Sequence, residues 1–142
     1  MTEAGRKYLI FTLSGHRYAF DLDRVAEVVE QPAICPIPLA PPCYPGAMNF
    51  HGTIVAVMDL ACFLGLPGMH GAEKVIVLDT RIAALAFSVE NIIRITPAGQ
   101  SGIFTAGGAT DFSLGQLDLA EGKAILLDAA AIAEHAGRTI ND

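Results

Sequence analysis

Residues 46–60, GAMNFHGTIVAVMDL, decide the fold of this chain. A polar turn around Gly52 leads into the apolar run 54–58, which is typical of a buried strand. Asp59 ends that run, and the short apolar stretch 60–64 follows it. Because aspartate is a preferred N-cap residue, we expect Asp59 to begin a short helix directly after the strand.

The turn before this strand is the first candidate site. Gly46 and Gly52 are predicted to be turn glycines, and Asn49 and His51 lie between them. Backbone flanked by glycine can be approached closely by a partner, which makes His51 a candidate contact residue. The plain alternative is a solvated loop histidine, or one that binds a turn carbonyl.

The rest of the chain is rich in Val, Ile, Phe and Thr, which favours strands over helices. Six of the eight prolines lie in residues 32–45, so we expect an extended connection there, because proline has no backbone donor. Residues 97–110 are rich in Gly, Ala and Ser and predict a loop. Strands are predicted at 8–13, 18–20, 25–29, 54–58, 75–78, 82–89 and 123–127, and a helix capped by Asp128 at 129–136.

The two halves of the chain resemble each other. The strand at 8–11 matches 75–78, and at the same offset residues 19–28 lie over 86–95. Chance similarity between apolar strands is the alternative to a true repeat. We interpret the pattern as one domain, 1–142, built of two intertwined halves at roughly 8–65 and 73–136. Each half is too small to be stable alone, so we expect them to pack together and leave an apolar groove between them.

Composition excludes several classes of function. The formal net charge is −6, and the 9 Lys and Arg residues are scattered, which argues against nucleic acid and anionic membrane surfaces as partners. The apolar stretch after the polar N-terminus is too short for a signal peptide or a membrane span. The three cysteines form no CxxC pair, so we expect no disulfide framework and a reduced, cytoplasmic location.

A metal site is the main chemical alternative to a binding module. Its candidate ligands are Cys35, Cys43, Cys62, His51 and His70. Structural zinc sites usually contain ligand pairs two to four residues apart, and these residues form none. The serines lack a nucleophile-elbow motif, and no phosphate-binding glycine loop joins a strand to a helix. We therefore expect neither an enzyme nor a cofactor.

The stretch 46–60 is similar to the signature of CheW-like domains, Gly-Val-x-Asn-Leu-Arg-Gly-x-Ile-x-Pro-Val-x-Asp-Leu. The strands at 8–13 and 18–22 and the Ile37-Pro38 loop also resemble that family, over roughly residues 8 to 135. The resemblance implies a mostly β fold of two SH3-like five-stranded barrels packed together. It implies short helices as well, including one near the C-terminus.

The resemblance also implies a function. Members of the family are non-enzymatic adaptors that couple chemoreceptor cytoplasmic tips to the regulatory domain of a CheA-type histidine kinase in bacterial chemotaxis. It implies a protein-binding groove, formed by the residues at the positions that match the family's groove. These are Val25, Gly46, Asn49, His51, Gly52, Lys74 and Val75. On general grounds Val25 and Val75 are more often core residues than contact residues, and only the resemblance assigns them to the groove.

Three positions depart from the family pattern, and they leave open which partner this protein binds. His51 replaces the usual arginine, Ala56 replaces a proline, and Lys74 lies where an apolar residue is common. Arginine has a permanent charge and a fork of donors, whereas histidine is mostly neutral at pH 7. A divergent scaffold for a non-chemotactic two-component system is therefore the alternative within the family.

Overall fold

The computed structural model describes residues 6–67, 73–97, 103–104 and 112–141, and within these the chain is mostly strand, as predicted. Two helices and a 3-10 turn at Leu22–Arg24 complete the fold. The strands are β1 Lys7–Leu13, β2 His16–Asp21, β3 Val25–Glu30, β4 Gly46–Phe50, β5 Thr53–Asp59, β6 Lys74–Leu78, β7 Leu85–Val89, β8 Asn91–Pro97, β9 Ile103–Phe104, β10 Ser113–Leu119 and β11 Gly122–Leu127, and the helices are α1 Leu60–Phe63 and α2 Ala129–Asn141.

The strands form two curled sheets with the same strand arrangement. Sheet 1 has the order β8-β1-β2-β11-β10-β9, and sheet 2 has the order β3-β6-β7-β5-β4. Each sheet contains a single parallel pairing among antiparallel ones. It joins β11 to β2 in sheet 1 and β5 to β7 in sheet 2. Sheet 1 combines β1 and β2 with strands from the second half of the sequence, and sheet 2 combines β3, β4 and β5 with β6 and β7. The boundary between the sequence repeats therefore differs from the boundary between the sheets.

The largest apolar cluster lies between the two sheets. It contains Leu9, Phe11 and Phe20 from sheet 1 and Ile76 and Phe87 from sheet 2. Phe20 and Phe87 occupy equivalent positions of the sequence repeat, and their rings lie 5.5 Å apart. The two sheets pack against each other as the two predicted barrels were expected to do, but the apolar faces between them form a closed core and not an open groove.

Each sheet also encloses a smaller core of its own. Alternate residues of β6 divide between the two environments, because successive side chains of a strand point to opposite faces. Ile76 and Leu78 belong to the central cluster, while Val75 and Val77 join Met48 inside sheet 2. β1 is divided in the same way, with Leu9 facing the centre and Tyr8 and Ile10 facing the inside of sheet 1.

Both predicted aspartate caps are confirmed. Asp59 Oδ1 accepts a hydrogen bond from the Cys62 amide at 3.2 Å, and Asp128 Oδ1 accepts one from the Ala131 amide at 3.1 Å. Each cap satisfies an amide in the first turn that has no partner within the helix. The two caps end equivalent strands, β5 and β11, and the second begins the predicted C-terminal helix.

Four strands were absent from the sequence prediction: β4, β8, β9 and β10. β4 contains Gly46 and Asn49, which have low strand propensity, and it is held by antiparallel pairing with β5. β10 contains a bulge between Ser113 and Gly115 and pairs with β11. β7 begins only at Leu85, later than the predicted start at residue 82. Of the predicted loop 97–110, residue 97 ends β8 and 103–104 form β9, while 98–102 and 105–110 lie outside the described residues.

The cysteines differ from expectation. Cys43 and Cys62 form a disulfide across 19 residues of sequence, with their Cα atoms 5.4 Å apart. Cys35 is free and exposed. Spacing along the chain could not reveal this pair, because the fold returns the end of the proline-rich connection to the start of α1.

Candidate functional site

The turn between β4 and β5 is a two-residue hairpin formed by His51 and Gly52. Both residues have left-handed backbone, with φ of 52° at His51 and 88° at Gly52. Such turns match the twist of the flanking strands. The Asn49 side chain accepts a hydrogen bond from the Gly52 amide at 2.8 Å, and the ring centres of His51 and Phe50 lie 4.4 Å apart, with 61° between the ring planes. The turn is thus held from both sides.

His51 joins the two open edges of sheet 2. β3 and β4 are at opposite ends of this sheet, and His51 Nε2 lies 3.2 Å from Glu27 Oε1 on β3. Val29 on β3 and Met48 on β4 also share one apolar cluster inside the sheet. The sheet is therefore curled until its edges meet, and the His51–Glu27 pair lies on the seam between them.

Sheet 1 has a matching pair on its own seam. Arg94 on β8 forms a two-pronged ion pair with Glu121 in the β10–β11 turn, one of its hydrogen bonds being 3.0 Å long. Arg94 occupies the repeat position of Glu27, and the β10–β11 turn corresponds to the turn that carries His51. The pKa of Glu121 falls from its usual value of 4.5 to about 2, chiefly because Arg94 hydrogen-bonds its carboxylate.

The two seams differ in how much of the pair faces solvent. The His51 and Glu27 side chains are 73% and 48% exposed, against 42% and 33% for Arg94 and Glu121. An exposed ion pair adds little to stability. The His51–Glu27 pair is therefore open to a partner, which can bind either group without disturbing the core.

Two predicted contact residues lie in the interior. Val75 is completely buried inside sheet 2, and Gly46 is buried in β4. A Cβ at Gly46 would lie 2.7 Å from Ile34 Cγ2 and against the backbone of Cys35. Gly46 is therefore a close-packing residue in a strand and not a turn glycine, and both residues are buried in this structure.

Val25 and Lys74 lie at opposite ends of the β3–β6 ladder. Val25 pairs with Leu78, and Lys74 pairs with Glu30, whose carboxylate lies 3.4 Å from its ammonium group. Five residues of strand separate the two ends, which is about 16 Å. Val25 is half-buried against the central core. Val25 lies two residues from Glu27 on β3, while Lys74 lies at the far end of the ladder, so the structure does not bring these two residues together.

Sequence reasoning missed two members of the exposed surface beside the turn. Glu27 reaches it from β3, and Ile54 lies directly across from Asn49 on β5 with 66% of its area exposed. The alternation within β5, with Val55 and Val57 buried, could have indicated that Ile54 faces outward. We call this group the turn surface. It consists of Glu27, Asn49, His51, Gly52 and Ile54.

Within the described part of the chain, no three His, Cys, Asp or Glu side chains are placed to hold a metal ion. His70, one of the predicted ligands, lies outside the described residues. Nor is any described helix long and apolar enough to cross a membrane.

An open cavity of about 430 Å³ lies beside the end of β6. Asp79 and Arg81 line it and pair with each other, with 2.6 Å between Asp79 Oδ2 and Arg81 Nη2. The pKa of Asp79 is lowered from 3.8 to about 2, chiefly by hydrogen bonds from the Arg81 side chain. The opposite charges of Asp79 and Arg81 therefore offset each other within this pair.

Comparison with known proteins gives one consistent family. A family model described as "CheW-like domain" matches residues 7–137. A chemotaxis protein CheW from Thermotoga maritima is 30% identical over 92 residues, which are 62% of this chain and 61% of that protein. A chemotaxis protein CheW from Klebsiella aerogenes is 27% identical over 134 residues, covering 87% of this chain and 79% of the relative.

The fold is also found among solved structures. The crystal structure of the scaffolding protein TtCheW from Thermoanaerobacter tengcongensis superimposes with a TM-score of 0.72. The two chains are 24% identical, and the match covers 86% of this chain and 88% of the other. At that identity the likeness concerns the fold, two curled sheets packed on a shared core.

Proposed function

This chain belongs to the CheW-like domain family, and from that premise we propose that it is a non-enzymatic adaptor of bacterial chemotaxis. In this role it couples the cytoplasmic tip of a chemoreceptor to the regulatory domain of a CheA-type histidine kinase, in the cytoplasm. The observation that carries the proposal is the family match over residues 7–137, supported by two relatives that are both named as chemotaxis proteins. Residues 1–142 act as one domain.

We propose that the turn surface is a contact site for one of these partners. It combines an exposed apolar side chain, Ile54, with the exposed polar pair His51 and Glu27. Apolar contact supplies binding energy, while the polar pair supplies orientation, since a partner must offer groups that hydrogen-bond with both side chains. The hairpin is braced by Asn49, so little conformational entropy is lost when it is bound.

The test measures binding of the purified chain to a CheA-type regulatory domain and, separately, to a receptor cytoplasmic fragment. Both proteins are taken from the organism that supplies this sequence, and binding is followed by calorimetry. We expect saturable binding to both. Absence of binding to either, with correctly folded partners, would refute the adaptor role. It would favour the alternative of a scaffold in a non-chemotactic two-component system.

The variant His51→Arg tests the turn surface within the same assay. Arginine can still reach Glu27 but adds a permanent charge and more donors, so we expect tighter binding to a partner that matches the usual family arginine. His16→Arg is the matched control, because it makes the same change at another exposed histidine, the first residue of β2 beside the β1–β2 turn of sheet 1. Equal affinities for wild type and His51→Arg would remove His51 from the contact residues.

A further inference from the structure

The Cys43–Cys62 pair fastens the proline-rich connection to the end of sheet 2. The carbonyl of Cys43 accepts a hydrogen bond from the Asp59 amide at 2.7 Å, and the Cys62 amide donates to the Asp59 carboxylate at 3.2 Å. The disulfide joins the same two segments covalently. Cys43 has a left-handed backbone, with φ of 78°, which a non-glycine residue adopts only where its surroundings impose it.

The connection before Cys43 is exposed. Leu39 is fully exposed and also has left-handed backbone, with φ of 58°. Its neighbours Ile37 and Ala40 are joined by a backbone hydrogen bond of 3.3 Å that stays inside the segment. The segment is anchored before this point by mutual hydrogen bonds of 2.8 Å between Cys35 and Ala47. Cys43 is thus the anchor at its other end.

The second half of the chain contains the same fastening without sulfur. Asp128 donates its amide to the Phe112 carbonyl at 2.8 Å and caps α2 through Ala131, just as Asp59 does with Cys43 and Cys62. Phe112 and Ala131 therefore occupy the places of the two cysteines. Since one half holds this contact without a disulfide, the covalent bond is an addition to the first half and not a requirement of the fold.

We propose that Cys43 and Cys62 are a reversible thiol–disulfide switch that tightens or loosens the connection 31–45. Both cysteines are half-buried and so remain within reach of small reagents. The oxidant is a low-molecular-weight disulfide: one cysteine thiolate attacks it and releases one small thiol. The other cysteine then attacks the mixed disulfide and releases the second. Two protein thiols are oxidised, and one small disulfide is reduced to two thiols.

In the reduced form the Cys43 end of the connection is still joined to β5 by the backbone hydrogen bond to Asp59, and the Cys35 end keeps its hydrogen bonds to Ala47. We therefore expect reduction to loosen residues 36–45 without unfolding the two sheets. Disulfides are uncommon in the cytoplasm except where they are transient, which fits a switch better than a permanent crosslink. The switch lies at the start of β4, whose other end carries the turn surface.

The first arm of the test counts thiols. The full chain is equilibrated in glutathione buffers of increasing oxidised fraction, quenched with acid, and alkylated under denaturing conditions before mass spectrometry. We expect the alkylated fractions of Cys43 and Cys62 to fall together as the buffer becomes more oxidising. Over the range in which this pair forms its disulfide, Cys35 should stay alkylated. Full alkylation of Cys43 and Cys62 in the most oxidising buffer, or pairing of either with Cys35, would overturn the proposal.

The second arm measures amide hydrogen exchange at Asp59, whose N–H contacts Cys43, with the Asp128 amide as internal control. We expect reduction to speed exchange at Asp59 by about tenfold and at Asp128 by less than about twofold. Cys43→Ser should show the fast rate in both buffers, and Cys35→Ser should respond like wild type. Equal exchange at Asp59 in both redox states would make the pair a static crosslink and refute the switch.

Neither arm uses a kinase or a receptor, so the result is independent of the proposed adaptor role. The reduced wild-type chain gives the same comparison without any substitution if Cys43→Ser does not fold.

Discussion

Val75 provides the sharpest test of how this fold is built, because the family resemblance assigns it to a binding groove while the structure buries it completely. Val75→Ala deletes two methyl groups, worth about 1.6 kcal/mol at about 0.8 kcal/mol each. A residual cavity of about 40 Å³ adds about 1 kcal/mol, at about 24 cal/mol per Å³. We therefore expect the free energy of unfolding to fall by about 2–3 kcal/mol.

The assay is urea unfolding followed by circular dichroism. With a slope of about 2 kcal/mol per molar urea, the midpoint should fall by about 1 M. Val25→Ala is the matched control: Val25 is only half-buried, so its truncation should cost about 1 kcal/mol or less. Val75→Arg should prevent folding, because it places an unpaired charge inside sheet 2.

The opposite outcome would refute this reasoning. If Val75→Ala lost less than about 0.5 kcal/mol and yet weakened partner binding, Val75 would be a contact residue, and the packing described for sheet 2 would be wrong.

Other expectations follow from single positions. Gly46→Ala should lower the free energy of unfolding by about 1–3 kcal/mol, because its Cβ would press on the backbone of Cys35, which cannot move aside like a side chain. Asp59→Ala should cost about 1 kcal/mol through loss of the α1 cap, measured by the same urea assay. The Asp79 carboxylate should titrate at about pH 2 in a carbon-13 NMR series, because Arg81 stabilises its charged form. The stabilisation by this pair is therefore complete above the ordinary pKa of 3.8 and is lost as the pH falls through 2.

Each of these has a control within the chain. Gly137→Ala lies in α2 with nothing within 4 Å of the new Cβ, so it should raise stability by about 0.5–1 kcal/mol where Gly46→Ala lowers it. Asp128→Ala repeats the loss of a cap at the other helix. Arg81→Ala should return the Asp79 titration toward its ordinary range. If any of these three variants behaved otherwise than stated, the local contact named for its counterpart would not be the cause of the effect.

Much of the candidate site could be found from sequence because it is local. The hairpin turn requires left-handed backbone at two successive positions, and the Asn49–His51–Gly52 motif marks it before any contact is known. The two aspartate caps are local as well, since each depends on residues no more than three positions apart. Glu27 could not be identified in this way, because it reaches the turn only when sheet 2 closes on itself.

The mostly β class, the repeat, the helix caps and the family can be recognised without coordinates, because strand alternation, capping and turn chemistry depend on neighbouring residues. Which strands share a sheet becomes known only from the folded chain, since the repeats exchange strands and no local pattern records a partner that is distant in sequence. The folded chain also decides the burial of Val75 and the pairing of Cys43 with Cys62. Both features depend on how distant segments pack. The packing that stabilises a strand forms only when other parts of the chain cover its two faces.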